Sequence, residues 1–102
     1  MGSLPETLHT SPTNHDCTVI DVLLLPAPLH AMAVVILNRI ETASSIQGLA
    51  FAHGRGQGYA ECLKLALILT GGESIYLIAI YQGAHDKRLG QLQADAFARS
   101  II

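Results

Sequence analysis

The chain has 102 residues, of which 50% are apolar and 14% are charged, and its formal net charge is −2 with histidine neutral. This length and composition predict one domain with a buried core, and they exclude a disordered body. Only six residues are basic, and they are spread along the chain, so they cannot follow a phosphate backbone. This excludes sequence-independent binding to nucleic acid.

The apolar excess also bears on how the protein works. A small domain has much surface relative to its volume, so one copy cannot hide all of these Leu, Ile, Val and Ala side chains. We therefore expect self-association or an obligate protein partner. The alternative is a monomer with an alanine-rich, mildly apolar surface.

The cysteine count and the apolar runs bear on the cellular compartment and on membrane association. Cys17 and Cys62 are too few for a disulfide framework, and neither belongs to a CxxC pair. A reducing, cytoplasmic setting is the better interpretation. The longest apolar run, residues 22–37, is shorter than the ~18–20 residues of a membrane-spanning helix. Two prolines and a histidine interrupt it, so we expect no membrane partner.

The N-terminal third begins with residue types that are typical of loops. Residues 1–16 are rich in Gly, Pro, Ser, Thr and Asn, which predicts a flexible tail before a single domain of residues 17–102. The alternative for this tail is a segment that becomes ordered on a partner. Residues 17–25, CTVIDVLLL, predict a strand that is covered on both faces. Residues 28–43 predict a helix with Pro28 in its first turn, and a strand over residues 31–37 is the alternative.

The middle of the chain is predicted to form a strand, a glycine loop and a helix. Residues 46–53 alternate between two faces and predict a strand, and GRGQG at residues 54–58 predicts a loop. Residues 59–70 have strong helix propensity and are followed by Gly71 and Gly72, which are typical of a helix end. A hairpin between LALIL and SIYLIAI is the competing interpretation.

The C-terminal part completes the pattern. Residues 74–81 are apolar on both faces and predict a central strand. Residues 82–88 predict a polar turn, with Asp86 as the cap of a helix from Lys87 to the C-terminus. The order β-α-β-α-β-α predicts a small α/β sandwich with a mainly parallel apolar sheet. If residues 31–37 are a strand, the class becomes α+β with a partly antiparallel sheet.

The candidate ligand site is the predicted glycine loop with the residue before it. A loop between a strand and a helix can present backbone amides and a helix N-terminus to an anion, and an arginine can add a charged fork. The spacing matches neither the dinucleotide fingerprint nor the P-loop, so the glycines can equally be turn residues. The residues concerned are His53, Gly54, Arg55, Gly56, Gln57 and Gly58.

The sequence evidence for other candidate sites is weaker. Cys62 lies one turn into the predicted helix 59–70, where a reactive thiol is conceivable, but a buried inert thiol is the favoured interpretation. No two of the five histidines have the spacing of metal ligands on a helix or strand, so we predict no metal and no cofactor. The chain also lacks a G-x-S-x-G nucleophile motif.

The sequence thus predicts a small association module without catalysis, either a homo-oligomer or an accessory subunit. It would bury the apolar helix 59–70 and the C-terminal surface against itself or another protein. The alternative is a binder of a small anionic or phosphate-containing ligand, with or without enzymatic activity, at residues 54–58.

Overall fold

The computed structural model describes residues 19–100. Residues 19–21 are helical, and three helices follow: α1 (Ala27–Glu41), α2 (Ile46–Leu65) and α3 (Gly71–Ser100). No strand occurs within residues 19–100, so the predicted α/β sandwich and its α+β alternative are both wrong, and the fold is all-α. The predicted tail at residues 1–16 and the apolar terminus Ile101–Ile102 lie outside the described residues.

Helix α1 confirms the helix predicted over residues 28–43 and rejects the strand alternative. Pro28 lies in its first turn, where a missing backbone N–H leaves no intrahelical bond unmade. The helix ends at Thr42, whose hydroxyl donates to the carbonyl of Asn38 at 2.8 Å. The strand predicted for residues 17–25 is wrong in its described part, which is a short helical segment followed by a turn.

Helix α2 runs through the predicted strand 46–53 and the predicted glycine loop 54–58, and both predictions are wrong. Ser45 caps it by accepting a hydrogen bond from the N–H of Gly48 at 2.9 Å. The buried positions recur every three or four residues across the whole segment, so the helical period was present in the sequence. These positions are Leu49, Ala52, Gly56, Ala60 and Leu63.

The end of α2 corrects the helix predicted over residues 59–70, which stops at Leu65. The N–H of Leu67 donates to the carbonyl of Lys64 at 3.0 Å, and the N–H of Ile68 donates to that of Leu63 at 2.9 Å. This pair of bonds is a Schellman motif, which normally has glycine at the position of Leu67.

Helix α3 replaces the predicted strand 74–81, the predicted turn 82–88 and the predicted final helix with one continuous helix of 30 residues. Gly71 and Gly72 do not end a helix but begin one. Thr70 and Glu73 form a capping box, in which each side chain accepts from the other residue's N–H, at 2.9 and 3.1 Å. The predicted hairpin is therefore also wrong.

The three helices pack against one another in all three pairs. α2 is antiparallel to α1 and α3, since Tyr59 late in α2 bonds to Leu29 early in α1, and Ser74 early in α3 bonds to Ala60 late in α2. The buried apolar side chains form one core. They are Ile20, Leu23, Ala33, Ile36, Leu37, Ile40, Leu49, Ala52, Ala60, Leu63, Leu69, Leu77 and Tyr81.

Candidate interaction surface at one end of the bundle

Two connecting segments lie at the same end of the bundle. Residues 19–26 lead into α1, and residues 66–70 join α2 to α3. The hydroxyl of Tyr76, in the first turns of α3, donates to the carbonyl of Val19 at 3.3 Å and so joins α3 to the residues before α1. Because α2 is antiparallel to its neighbours, the last turn of α2 and the first turns of α1 and α3 also lie here.

This end carries most of the large apolar side chains that the described chain exposes. We call them the apolar tip, and they come from the turn before α1, the α2–α3 connection and the start of α3. A soluble monomer exposes single apolar side chains routinely, but a group of this size at one end is a feature of interaction sites. The apolar tip consists of Val22, Leu24, Leu65, Leu67, Ile68, Ile75 and Tyr76.

Two of these residues also have unusual backbones. Leu24 has a φ of 55° and Leu67 a φ of 64°, and they are the only non-glycine residues with positive φ in the described chain. A left-handed conformation costs an L-residue ~1–2 kcal/mol, and glycine avoids this cost. These two leucines are also the most exposed large apolar residues, at 86% and 90%. Neither packing in the core nor backbone preference accounts for leucine at these positions.

The charged side chains around the tip are paired within the chain. Asp21 contacts the imidazole of His30, and Lys64 lies 3.2 Å from Glu61 one helical turn away. Glu73 accepts the N–H of Thr70 at the start of α3, where the helix dipole also favours a carboxylate. Each of these three carboxylates therefore has a contact within the chain, and only Glu61 contacts a lysine.

The other predicted association surface is the C-terminal part of α3. From residue 93 to residue 100 every residue is exposed, so this stretch projects beyond the helices that cover the rest of α3. Phe97 is the only large apolar side chain counted as exposed in it. The stretch is thus more polar than the tip.

The residues predicted as a ligand site occupy the middle of α2. Their backbone amides lie inside a helix, where they bond to carbonyls four residues earlier and are not free for an anion. Gly56 is buried against α3, and Gly54 and Gly58 face open space. The guanidinium of Arg55 lies 5.9 Å from the ring centre of Phe51, one turn away. The structure does not bring the six residues together around a cavity.

Gly56 has a packing role that the sequence did not reveal. A Cβ at this position would lie 2.6 Å from Cδ2 of Tyr81 in α3, well inside contact distance. Tyr81 is fully buried, and its hydroxyl donates to the carbonyl of Ala33 in α1 at 2.9 Å. Burial raises the pKa of this phenol, so it stays a donor. Glycine therefore allows α2 and α3 to approach closely around a tyrosine that joins all three helices.

His53 lies one turn along the same interface, opposite His85 of α3. The two ring centres are 4.4 Å apart, and Nε2 of His53 is buried without a hydrogen-bond partner among the described residues. Burial lowers the pKa of His53, His85 lowers it further, and the nearby Gln82 and Asp86 offset part of this shift. Hydrogen bonds from His85 and Gln82 lower the pKa of the exposed Asp86. The net effect of these neighbours and of burial favours the neutral form of His53.

A groove of about 510 Å³ lies between α1 and α3. Arg88 lines it, but its Nε donates to the carbonyl of Ala43 at 2.8 Å and its Nη1 donates to Gln91 at 2.9 Å. Its guanidinium therefore fastens α3 to the end of α1. Lys87 also lines the groove.

The prediction that Cys62 is buried is wrong, because its thiol is free and exposed near the end of α2. Within residues 19–100 no three His, Cys, Asp or Glu side chains lie close enough together to hold a metal ion. None of the helices in this range combines the length and apolar character needed to cross a membrane. No family model matches the chain, and neither the curated proteins nor the solved structures that we compared contain a significant match.

Proposed function

We propose that this chain is a non-catalytic association module that acts as a homo-oligomer or as an accessory subunit. The apolar tip is the surface through which it associates. The observation that supports this most strongly is the pair of left-handed leucines. Glycine or asparagine would suit the backbone at Leu24 and Leu67 better. Leucine at such exposed positions is useful only if its side chain contacts something outside the chain.

The energetics agree with this proposal. The exposed fractions of the seven side chains of the tip add up to the equivalent of roughly four to five fully exposed side chains. Covering them would contribute ~7–14 kcal/mol at ~1.5–3 kcal/mol for each fully buried side chain. Association costs ~4–15 kcal/mol in lost translational and rotational freedom, so burial of the tip is of the size needed to hold a complex.

The cytoplasm is the proposed setting. Two cysteines are too few for a disulfide framework, and the exposed Cys62 is a free thiol, which suits a reducing compartment. The anion-binding alternative loses its physical basis, because it required free backbone amides in a loop at residues 54–58 and these residues are helical.

Sedimentation velocity from about 1 μM to about 1 mM protein tests the proposal, a range that detects all but the weakest association. A fluorescent dye that binds apolar surfaces is titrated in parallel. Assembly in this range, or a monomer that binds the dye at the tip, supports an association module. A monomer at every concentration that binds no dye contradicts it.

A further inference from the structure

We propose that a crevice between α1 and α2 binds a small organic anion that carries a short apolar chain, with its charged end held by Arg39 and Arg55. The crevice has a volume of about 80 Å³, and no residue of the apolar tip lines it. The inference therefore goes beyond the proposed function and does not depend on it. The residues that line the crevice are Met32, Val35, Ile36, Arg39, Ala52 and Arg55.

The lining of the crevice combines four apolar side chains with two guanidinium groups. Arg39 lies in the last turn of α1, and Arg55 lies in the middle of α2. Two like charges that line one crevice repel each other, and an anion bound between them removes this repulsion. Arginine also offers a carboxylate or a phosphate two parallel hydrogen bonds. The lining thus selects a ligand whose polar end is anionic.

Neither arginine is used for an ion pair within residues 19–100, where the pairs that form involve His30, Lys64 and His85. Helical neighbours three and four residues away could supply a carboxylate, but none of them is acidic. Arg88 is different, because it bonds to a backbone carbonyl and to a side-chain amide and so has a structural role. The neighbours are Val35, Ile36, Thr42 and Ala43 for Arg39, and Phe51, Ala52, Gly58 and Tyr59 for Arg55.

Phe51 holds one of the two guanidinium groups in place. The carbon of the Arg55 guanidinium lies over the ring of Phe51 at 5.9 Å from its centre, which is the distance of a cation–π contact. Such a contact restrains the side chain and leaves its N–H donors available. A restrained arginine loses less conformational freedom when a ligand binds. The site uses arginine side chains and not the backbone amides of residues 54–58, which bond within α2.

The size of the crevice sets the size of the apolar part of the ligand. Its volume of about 80 Å³ holds roughly three groups of the size of a water molecule, each of ~30 Å³. Sites that enclose drug-sized ligands are several times larger. Ile36 and Ala52 in the lining are buried, whereas Met32 and Val35 are partly exposed and would be covered by the ligand. An inorganic anion would leave these side chains in water, so we expect a chain of roughly three to four carbons.

The experiment is an amide NMR titration of the full chain with acetate, butanoate, pentanoate and hexanoate at constant ionic strength. Pentanol and inorganic phosphate are titrated as the neutral and the inorganic comparison. We expect shifts at the residues that line the crevice. Each added CH₂ group that enters it should lower the dissociation constant by up to ~4-fold, and this gain should stop once the crevice is full. Pentanol and inorganic phosphate should each bind more weakly than pentanoate by ~10-fold or more, since each lacks one half of the interaction.

Charge-matched variants separate this site from general attraction of anions. Arg39→Gln and Arg55→Gln should each raise the dissociation constant of pentanoate by at least ~10-fold, the size expected for loss of a charged hydrogen bond. Arg99→Gln removes the same charge from an exposed position in the last turn of α3 and should leave binding unchanged. Circular dichroism confirms that all three variants are folded.

Four results would overturn the inference. Equal losses of affinity in all three variants would reduce the effect to net charge. An affinity that does not depend on chain length would exclude an organic ligand in the crevice. Shifts confined to the apolar tip would show that the alkyl chain binds there. The absence of any shift at tens of millimolar pentanoate would leave the crevice without this ligand. Sedimentation tests the proposed function separately, so the two ideas fail in different experiments.

Discussion

The middle of the α2–α3 interface buries small and polar groups, whereas the apolar tip exposes large apolar side chains. In the interface, the buried groups include a glycine, two hydroxyls and one imidazole nitrogen, contributed by Gly56, Tyr81, Ser74 and His53. At the tip, seven large apolar side chains are in solvent. In both regions the residue type departs from the preference of the local backbone.

Glycine and leucine illustrate this most clearly. None of the described glycines has a positive φ, although that is the conformation for which glycine is best suited. Gly56 lies inside a helix because Tyr81 leaves no room for a Cβ. The two positive-φ positions are held by leucine instead. The predictions below test whether contacts explain these choices.

The largest effect is expected from removing the tyrosine that joins the three helices. Tyr81→Ala should lower the free energy of unfolding by ~3–5 kcal/mol, the cost of deleting a buried aromatic ring, and it also removes the hydrogen bond to Ala33. Urea denaturation measures this change. Phe97→Ala is the control and should change stability by less than ~0.5 kcal/mol, since Phe97 is exposed.

Gly56→Ala should destabilise the fold by ~1–3 kcal/mol, because the new methyl group must displace the ring of Tyr81. The same change at Gly58, which faces open space, should stabilise the fold by ~0.5–1 kcal/mol through helix propensity. A decisive check is the double-mutant cycle. In a Tyr81→Ala background Gly56→Ala should become neutral or stabilising. Equal effects of Gly56→Ala in both backgrounds would contradict the close-approach explanation.

At the tip, Leu67→Asn should raise the stability of the single copy by up to ~1 kcal/mol, because asparagine relieves part of the left-handed strain. The measurement is urea denaturation at several protein concentrations, compared in the dilute limit, where the chain is a single copy. Ile75→Asn, also exposed but inside α3, provides the comparison and should give no such gain. A loss of stability in Leu67→Asn would mean that its side chain already packs within one copy.

The smallest effect concerns pH. The pKa of His53 is lowered by burial and by His85, so the folded chain resists protonation at this site. The unfolded chain takes up the proton near pH ~6.5, and it therefore binds more protons than the folded chain in mildly acidic solution. The free energy of unfolding should be highest above about pH 6.5 and should fall as the pH drops below it. His53→Gln should flatten this slope in urea titrations. An unchanged slope would assign the effect to another group.

The sequence predicted some of this architecture and missed the rest for identifiable reasons. The helix at residues 28–43 was recognised because a proline at its start and regular apolar spacing agree. The prediction for residues 46–58 was wrong because four glycines lower the helix propensity, and the contact that compensates, Gly56 on Tyr81, is distant in sequence. The prediction for residues 74–81 was wrong because a short apolar run fits a strand and a buried helix equally well.

One signal that could have improved the prediction was local. Thr70-Gly71-Gly72-Glu73 has the spacing of a capping box and marks the start of α3, although the glycine pair suggested a helix end. The apolar excess predicted association, which stays a prediction, and the two left-handed leucines at the tip are visible only in the backbone geometry. The candidate interaction surface could therefore be expected from composition and located only from the fold.

The most direct test of the central proposal measures the distance between two copies. A nitroxide attached to the exposed Cys62 lies close to the tip, and Cys17→Ser makes the label unique. If two tips meet, the labels of a dimer should be separated by less than the ~45 Å length of α3. That distance should disappear in the Leu24→Asn/Leu67→Asn variant. Dimers in which the labels lie farther apart than α3 is long would contradict the account, because they would place the contact at the opposite end of the molecule.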